Sequence, residues 1–95
     1  MVQRSDIREM AIPASFQGSN VLFTGEAGIL PLPAFRTPDS SLIISCWEFD
    51  WVEIMEIQNT KKVWVGIMGG QVPPMMLMSK SRMHSKFPPL KLMIP

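Results

Sequence analysis

The sequence predicts a small, mainly β protein with a thin core, either loosely packed or completed only by a second copy or another chain. Three observations predict this. β-Branched and aromatic residues dominate the runs "LIISCWEFDW" (42–51) and "VWVGIM" (63–68). Within the first run, Trp47, Phe49 and Trp51 alternate with Glu48 and Asp50, the period-2 pattern of a half-buried strand. Clusters of Gly, Pro, Asn, Asp and Ser bound the runs as turn formers do. The 95 residues make one domain at most, and so short a chain buries a smaller share of its surface than a long one. They divide into an N-terminal segment (1–18), a small β unit (19–70) and an extended or disordered basic tail (71–95).

In chain order, "SDIREMAI" (5–12) suits a short helix, with Ser5 as N-cap, Asp6 in the first turn and Ile7 and Met10 on one face, until Pro13 stops it. "NVLFTG" (20–25) is a compact strand. "GILPLPAF" (28–35) is apolar, but its two prolines confine it to a sheet edge or an extended connection. "RTPDSS" (36–41) is a turn built on Pro38 and Asp39.

The run from Leu42 reaches a slip at Trp51–Val52, where two apolar residues are adjacent and a β-bulge would restore a common apolar side. A turn at "QNTKK" (58–62) then returns the chain along "VWVGIM". The result is a β-hairpin over about residues 43–68, with Ile54 opposite Val65 and Met55 opposite Trp64. In that hairpin Trp51 and Trp64 are buried, while Glu48 and Asp50 face water. The Asn-Thr turn is poor, because the favoured two-residue loop wants glycine second. After Gly70 come five prolines, five methionines and no glycine, with two Pro-Pro pairs. That composition predicts a flexible tail with at most a turn or two of helix between Met75 and Met83, dispensable for the fold.

Chemistry is sparse. One cysteine and one histidine cannot build a structural zinc site, so no metal or cofactor is expected. Cys46 lies in an apolar run and reads as a buried, inert thiol, and His84 reads as a solvated imidazole. Glu48, Asp50, Glu53 and Glu56 lack the enclosure that would drive two carboxyl pKa values apart. "GEAG" (25–28) and "GIMGG" (66–70) have neither the spacing nor the lysine of a phosphate-binding loop. The expectation is a protein that is not an enzyme.

Binding signals are stronger. All eight acids lie before residue 57, with only three arginines among them, whereas the six cations from Lys61 onward meet no acid. Charge segregation of this kind is a hint of interaction segments. The first candidate contact is the acidic-aromatic stretch with Trp47, Glu48, Phe49, Asp50 and Trp51, together with Trp64 on the returning strand. The second is the basic "SKSRMHSK" (79–86), where Lys80, Arg82 and Lys86 would meet phosphates or acidic groups.

The function expected is that of a small accessory interaction protein whose partner is another protein. The alternative is a compact β module that binds single-stranded nucleic acid, with the tryptophans as stacking platforms and the tail as electrostatic support. Self-association would also complete the thin core, and a membrane surface is the weakest expectation, since the tail prolines break any amphipathic helix.

A lone cysteine and the absence of a signal peptide or an apolar run long enough to span a bilayer favour an intracellular setting. The missing tyrosine, nine methionines and nine prolines suit a recently arisen reading frame, viral or organellar, not long optimised for one fold.

Overall fold

The computed structural model describes residues 11–24, 30–67, 70–71 and 74–95. Four short strands come first: β1 (Ile12–Ala14), β2 (Val21–Phe23), β3 (Leu32–Arg36) and β4 (Ile43–Glu48). Three helices follow: α1 (Trp51–Thr60), α2 (Lys80–Lys86) and α3 (Leu90–Met93). The strands form one antiparallel sheet in the order β1-β4-β3-β2. The sheet curls, and β1 comes close to β3 across the intervening strand. The mainly β expectation is met. The helix expected over 5–12 lies outside the described residues except for its last two, and Ile12 already belongs to β1.

The turn read at Pro38–Asp39 joins β3 to β4, and its chemistry is local. Asp39 Oδ1 accepts from the Ser41 N–H (3.0 Å), the Ser41 hydroxyl (2.8 Å) and the Thr37 hydroxyl (2.8 Å). The loop closes with the Thr37 N–H on the Leu42 carbonyl at 3.1 Å. Ser40 takes the left-handed conformation that the tight reversal requires (φ 59°). At this same end of β3, the Asn20 side chain acts as a surrogate peptide. Its Nδ2 donates to the Arg36 carbonyl at 3.0 Å and its Oδ1 accepts the Arg36 N–H at 2.8 Å. This continues the β2–β3 pairing past the end of β2.

β3 is an interior strand, which corrects the edge placement expected for its prolines. The register shows why the prolines are tolerated. Pairing with β4 covers only Ala34, Phe35 and Arg36, opposite Ser45, Ile44 and Ile43. Pro33 pairs with Leu22 of β2 and lies beyond the β4 ladder, so no hydrogen bond from it to β4 is lost. Pro13 sits in β1, a sheet edge, where a residue without an N–H is tolerated.

The hairpin expected over 43–68 does not form. β4 ends at Glu48, and the chain turns into α1 because Asp50, in extended conformation (φ −76°, ψ 169°), caps it: Oδ1 accepts the Glu53 N–H at 2.8 Å. The helix stops at Lys61, whose left-handed backbone (φ 61°) turns its N–H onto the Ile57 carbonyl at 2.6 Å. Residues 61–67 are in neither helix nor strand, so the cross-strand partners expected for Ile54 and Met55 are absent.

The flexible tail is likewise corrected. Phe35 and Ile44 face each other in the β3–β4 register and are buried, and so are Met83 of α2, Leu90 of α3 and Ile94 just after it. These five form the core cluster, edged by Phe16, Leu42, Met78 and Phe87. Proline does not prevent this packing. Pro88 and Pro89 occupy the turn between the two helices, where Pro89 serves as the N-cap of α3.

Two contacts hold the C-terminal layer to its place. His84 Nε2 donates to the Ile94 carbonyl at 2.6 Å, so the imidazole is half-buried, not solvated as expected. Gly18 (φ 104°) lies so close to the Met93 backbone that a Cβ would overlap its carbonyl oxygen.

Two outcomes follow. The Leu90→Ala variant should lose about 2–5 kcal/mol, and a chain ending at Gly70 should lose its cooperative melt, both read by thermal unfolding in circular dichroism. The second outcome concerns pH. Hydrogen bonds from the Ser41 N–H, the Ser41 hydroxyl and the Thr37 hydroxyl lower the Asp39 pKa from 3.8 to about 2. Its contribution is therefore complete above the unfolded value and disappears as pH falls through about 2. Asp39→Asn should destabilise at neutral pH and match the parent chain near pH 2, as denaturant melts at the two pH values will tell.

Candidate functional site

The candidate surface begins where β4 passes into α1. Trp47 and Glu48 close the strand, Phe49 and Asp50 form the junction, and Trp51 opens the helix. All three tryptophans are exposed: Trp47 by 47 %, Trp51 by 70 % and Trp64 by 91 %. The burial expected for Trp51 and Trp64 is therefore overturned, and the reason is the helix itself, which takes both residues out of any sheet. Trp47 Nε1 donates to Ser45 Oγ at 2.9 Å, which fixes the indole on the outer side of β4. Cys46 is also exposed, contrary to the buried thiol expected of it.

Burial along α1 leaves the larger part of its apolar surface in water. At 100° per residue, Trp51, Val52, Ile54 and Met55 share one broad arc and Glu53 and Ile57 lie on the other side. Only Glu53 and Ile57 are half-buried; the apolar arc faces solvent, and α1 contains no buried residue. Oε1 of Glu53 is buried and takes no hydrogen bond among the described residues. Past the helix, Val63, Trp64, Val65 and Ile67 are exposed as well. With a rise of about 1.5 Å per residue, α1 separates Trp51 from the Lys61 end by about 15 Å. Trp64 follows three residues beyond that end.

The acids do not behave as one solvated row. Glu48 is exposed, whereas Asp50 is half-buried and committed to the cap, so the outward alternation expected of this pair does not hold. Val52, Ile54 and Met55 are the surface residues that the strand reading missed. Their signal was present: Asp50 followed three residues later by Glu53 is the spacing of a helix start.

The basic candidates sit on α2, capped by Ser79, whose hydroxyl accepts the Arg82 N–H at 3.3 Å. Arg82 and Lys86, four apart, share a face; Lys80 points to another side. Lys86 Nζ lies 5.9 Å from the centre of the Phe87 ring. A depression lined by Thr37, Asp39, Leu42, Met76 and Phe87 opens broadly to solvent. Among the described residues, no group of three or more His, Cys, Asp or Glu side chains is placed to hold a metal ion, and no helix is long and apolar enough to cross a membrane.

Comparisons with protein-family models, with curated proteins and with solved structures return no match to this chain.

Trp51→Ala and Trp64→Ala should each shift stability by no more than ~0.5 kcal/mol, as surface substitutions do. Buried rings would cost about 3–5 kcal/mol. Chemical denaturation of the two variants separates the cases, and acrylamide should quench most of the parent chain's fluorescence, least at Trp47.

Proposed function

We propose that this chain is a small non-enzymatic interaction protein that docks another protein through the apolar surface running from Trp47 along α1 to Trp64. The observation that carries this reading is the exposure of all three tryptophans beside an uncovered apolar helix face. Contiguous apolar surface of this kind marks interaction sites. Tryptophan is among the residues on which binding energy concentrates, and an apolar helix face is the element that enters a partner's groove. Glu48, Asp50 and Glu56 flank the apolar arc, so the partner surface they suit is apolar at its centre and basic at its rim.

The test compares cross-linked partners of the full chain with those of a Trp51→Ala/Met55→Ala/Trp64→Ala variant that retains the parent's circular dichroism. Polypeptides retained by the parent and lost from the variant support the reading; an identical set for both sinks it. A titration with single-stranded oligonucleotide runs beside it. Quenching of tryptophan that weakens steeply with salt, and disappears when Lys80, Arg82 and Lys86 become Gln, would move the function to nucleic acid.

A further inference from the structure

We infer that the Lys61–Lys62 pair is a processing site for an endoprotease of basic specificity, which hydrolyses the Lys62–Val63 bond and leaves the two products joined by the core. The site follows the end of α1. Residues 62–67 belong to neither helix nor strand and all are exposed, and residues 63–67 take no hydrogen bond with any described residue. A protease must draw several residues on both sides of the bond into its cleft in extended form, so nicking concentrates on exposed irregular backbone. The Lys62 side chain has no partner among the described residues. Its ammonium is the group that a carboxylate at the base of an S1 pocket selects. Lys61, by contrast, is held, with its N–H on the Ile57 carbonyl and its Nζ donating to the Gln58 carbonyl at 2.5 Å.

The other basic residues among those described are exposed too, but they are anchored. Lys80, Arg82 and Lys86 lie in α2 around the buried Met83, and Lys91 lies in α3 between the buried Leu90 and Ile94. Unwinding either helix into a protease cleft pulls those side chains out of the core, and local opening is rarer the more it uncovers. Arg36 ends β3 opposite Ile43, with its backbone on the Asn20 side chain. Between Gln58 and Ile67 the only secondary structure to lose is the last turn of α1. That helix has no buried residue and makes no close backbone approach to another described strand or helix, and helix ends fray.

The reaction balances with water alone. The bond from the Lys62 carbonyl carbon to the Val63 nitrogen breaks. Water supplies a hydroxyl to the carbon and a hydrogen to the nitrogen, and the two groups ionise to a carboxylate and an ammonium in solvent. The cut crosses no strand ladder and no core contact among the described residues. Phe35 and Ile44 stay in one product and Met83, Leu90 and Ile94 in the other, so their packing joins the two. Cleavage does sever Trp64 from α1 and so divides the docking surface proposed above, although the site itself requires nothing of that reading.

The experiment treats the full chain with trypsin at a low ratio and follows the intact masses with time. A fragment beginning at Val63 is expected to form at least ~10-fold faster than any cut after Arg36, Lys80, Arg82, Lys86 or Lys91, since cleavage of folded segments tracks their opening equilibrium. On size exclusion that fragment should co-elute with its N-terminal counterpart and part from it only in denaturant. A Lys61→Gln/Lys62→Gln variant that keeps the parent's circular dichroism should survive intact ~10-fold longer or more. First cuts within α2 or α3, equal rates at all basic residues, or a variant cut as fast as the parent would each overturn the site. Fragments that separate without denaturant overturn the inference equally, because the core would then not bridge the cut.

Discussion

Phe35 and Ile44, opposed across the β3–β4 ladder, make an apolar patch that one curled sheet cannot cover, and the remaining elements are placed by how that patch is closed. Closure comes from the far end of the sequence. Met83, Leu90 and Ile94 supply the second layer, so the chain buries nothing substantial until nearly its last residue is in position. Each such side chain gains about 1.5–3 kcal/mol on leaving water, and among the described residues six are buried. With so few contributors, no layer is expendable. The Gly18–Met93 approach and the His84–Ile94 hydrogen bond tie the C-terminal layer to the sheet side and to itself.

The middle of the chain obeys a different constraint. α1 is set by backbone chemistry at its two ends, with the Asp50 carboxylate on the Glu53 N–H and the left-handed Lys61 on the Ile57 carbonyl. Neither interaction depends on which arc of the helix is covered. The helix can therefore form with Glu53 and Ile57 half-buried and the arc of Trp51, Val52, Ile54 and Met55 in water. A fold driven by burial alone would turn it the other way. The apolar arc of α1 is surface that the chain itself leaves uncovered.

Local chemistry accounts for what was legible in the sequence. The Pro38–Asp39 turn, the strand at Val21–Phe23 and the stretch Ile43–Glu48 of the "LIISCWEFDW" run could be read because turn residues and short-range alternation determine them. The error at Trp51 came from carrying a period-2 pattern past Asp50, where a cap three residues ahead of Glu53 outweighs alternation. The C-terminal layer was illegible for another reason. Pro-Pro pairs and methionines read as an unstructured tail, but Pro88–Pro89 serve as a turn, and the spacing of Met83, Leu90 and Ile94 has meaning only against Phe35 and Ile44, some fifty residues earlier. The candidate contacts Trp47, Trp51 and Trp64 were identified as residues, yet the helix face that links them was not.

Charge completes the separation between what folds the chain and what remains on its outside. Among the described residues the buried ones are all apolar, and the C-terminal layer directs Lys80, Arg82, Lys86 and Lys91 outward while Met83 and Leu90 turn in. The contrast between an acid-rich first part and a wholly basic end is thus carried by the surface and contributes little to stability, since exposed charges add little to it. Its effect is to give the molecule two chemically distinct exteriors: an acidic-aromatic one on β4 and α1, and a basic one on α2. The asymmetry that was conspicuous in the sequence lies on the surface, and the inconspicuous methionine, leucine and isoleucine of the tail belong to the fold.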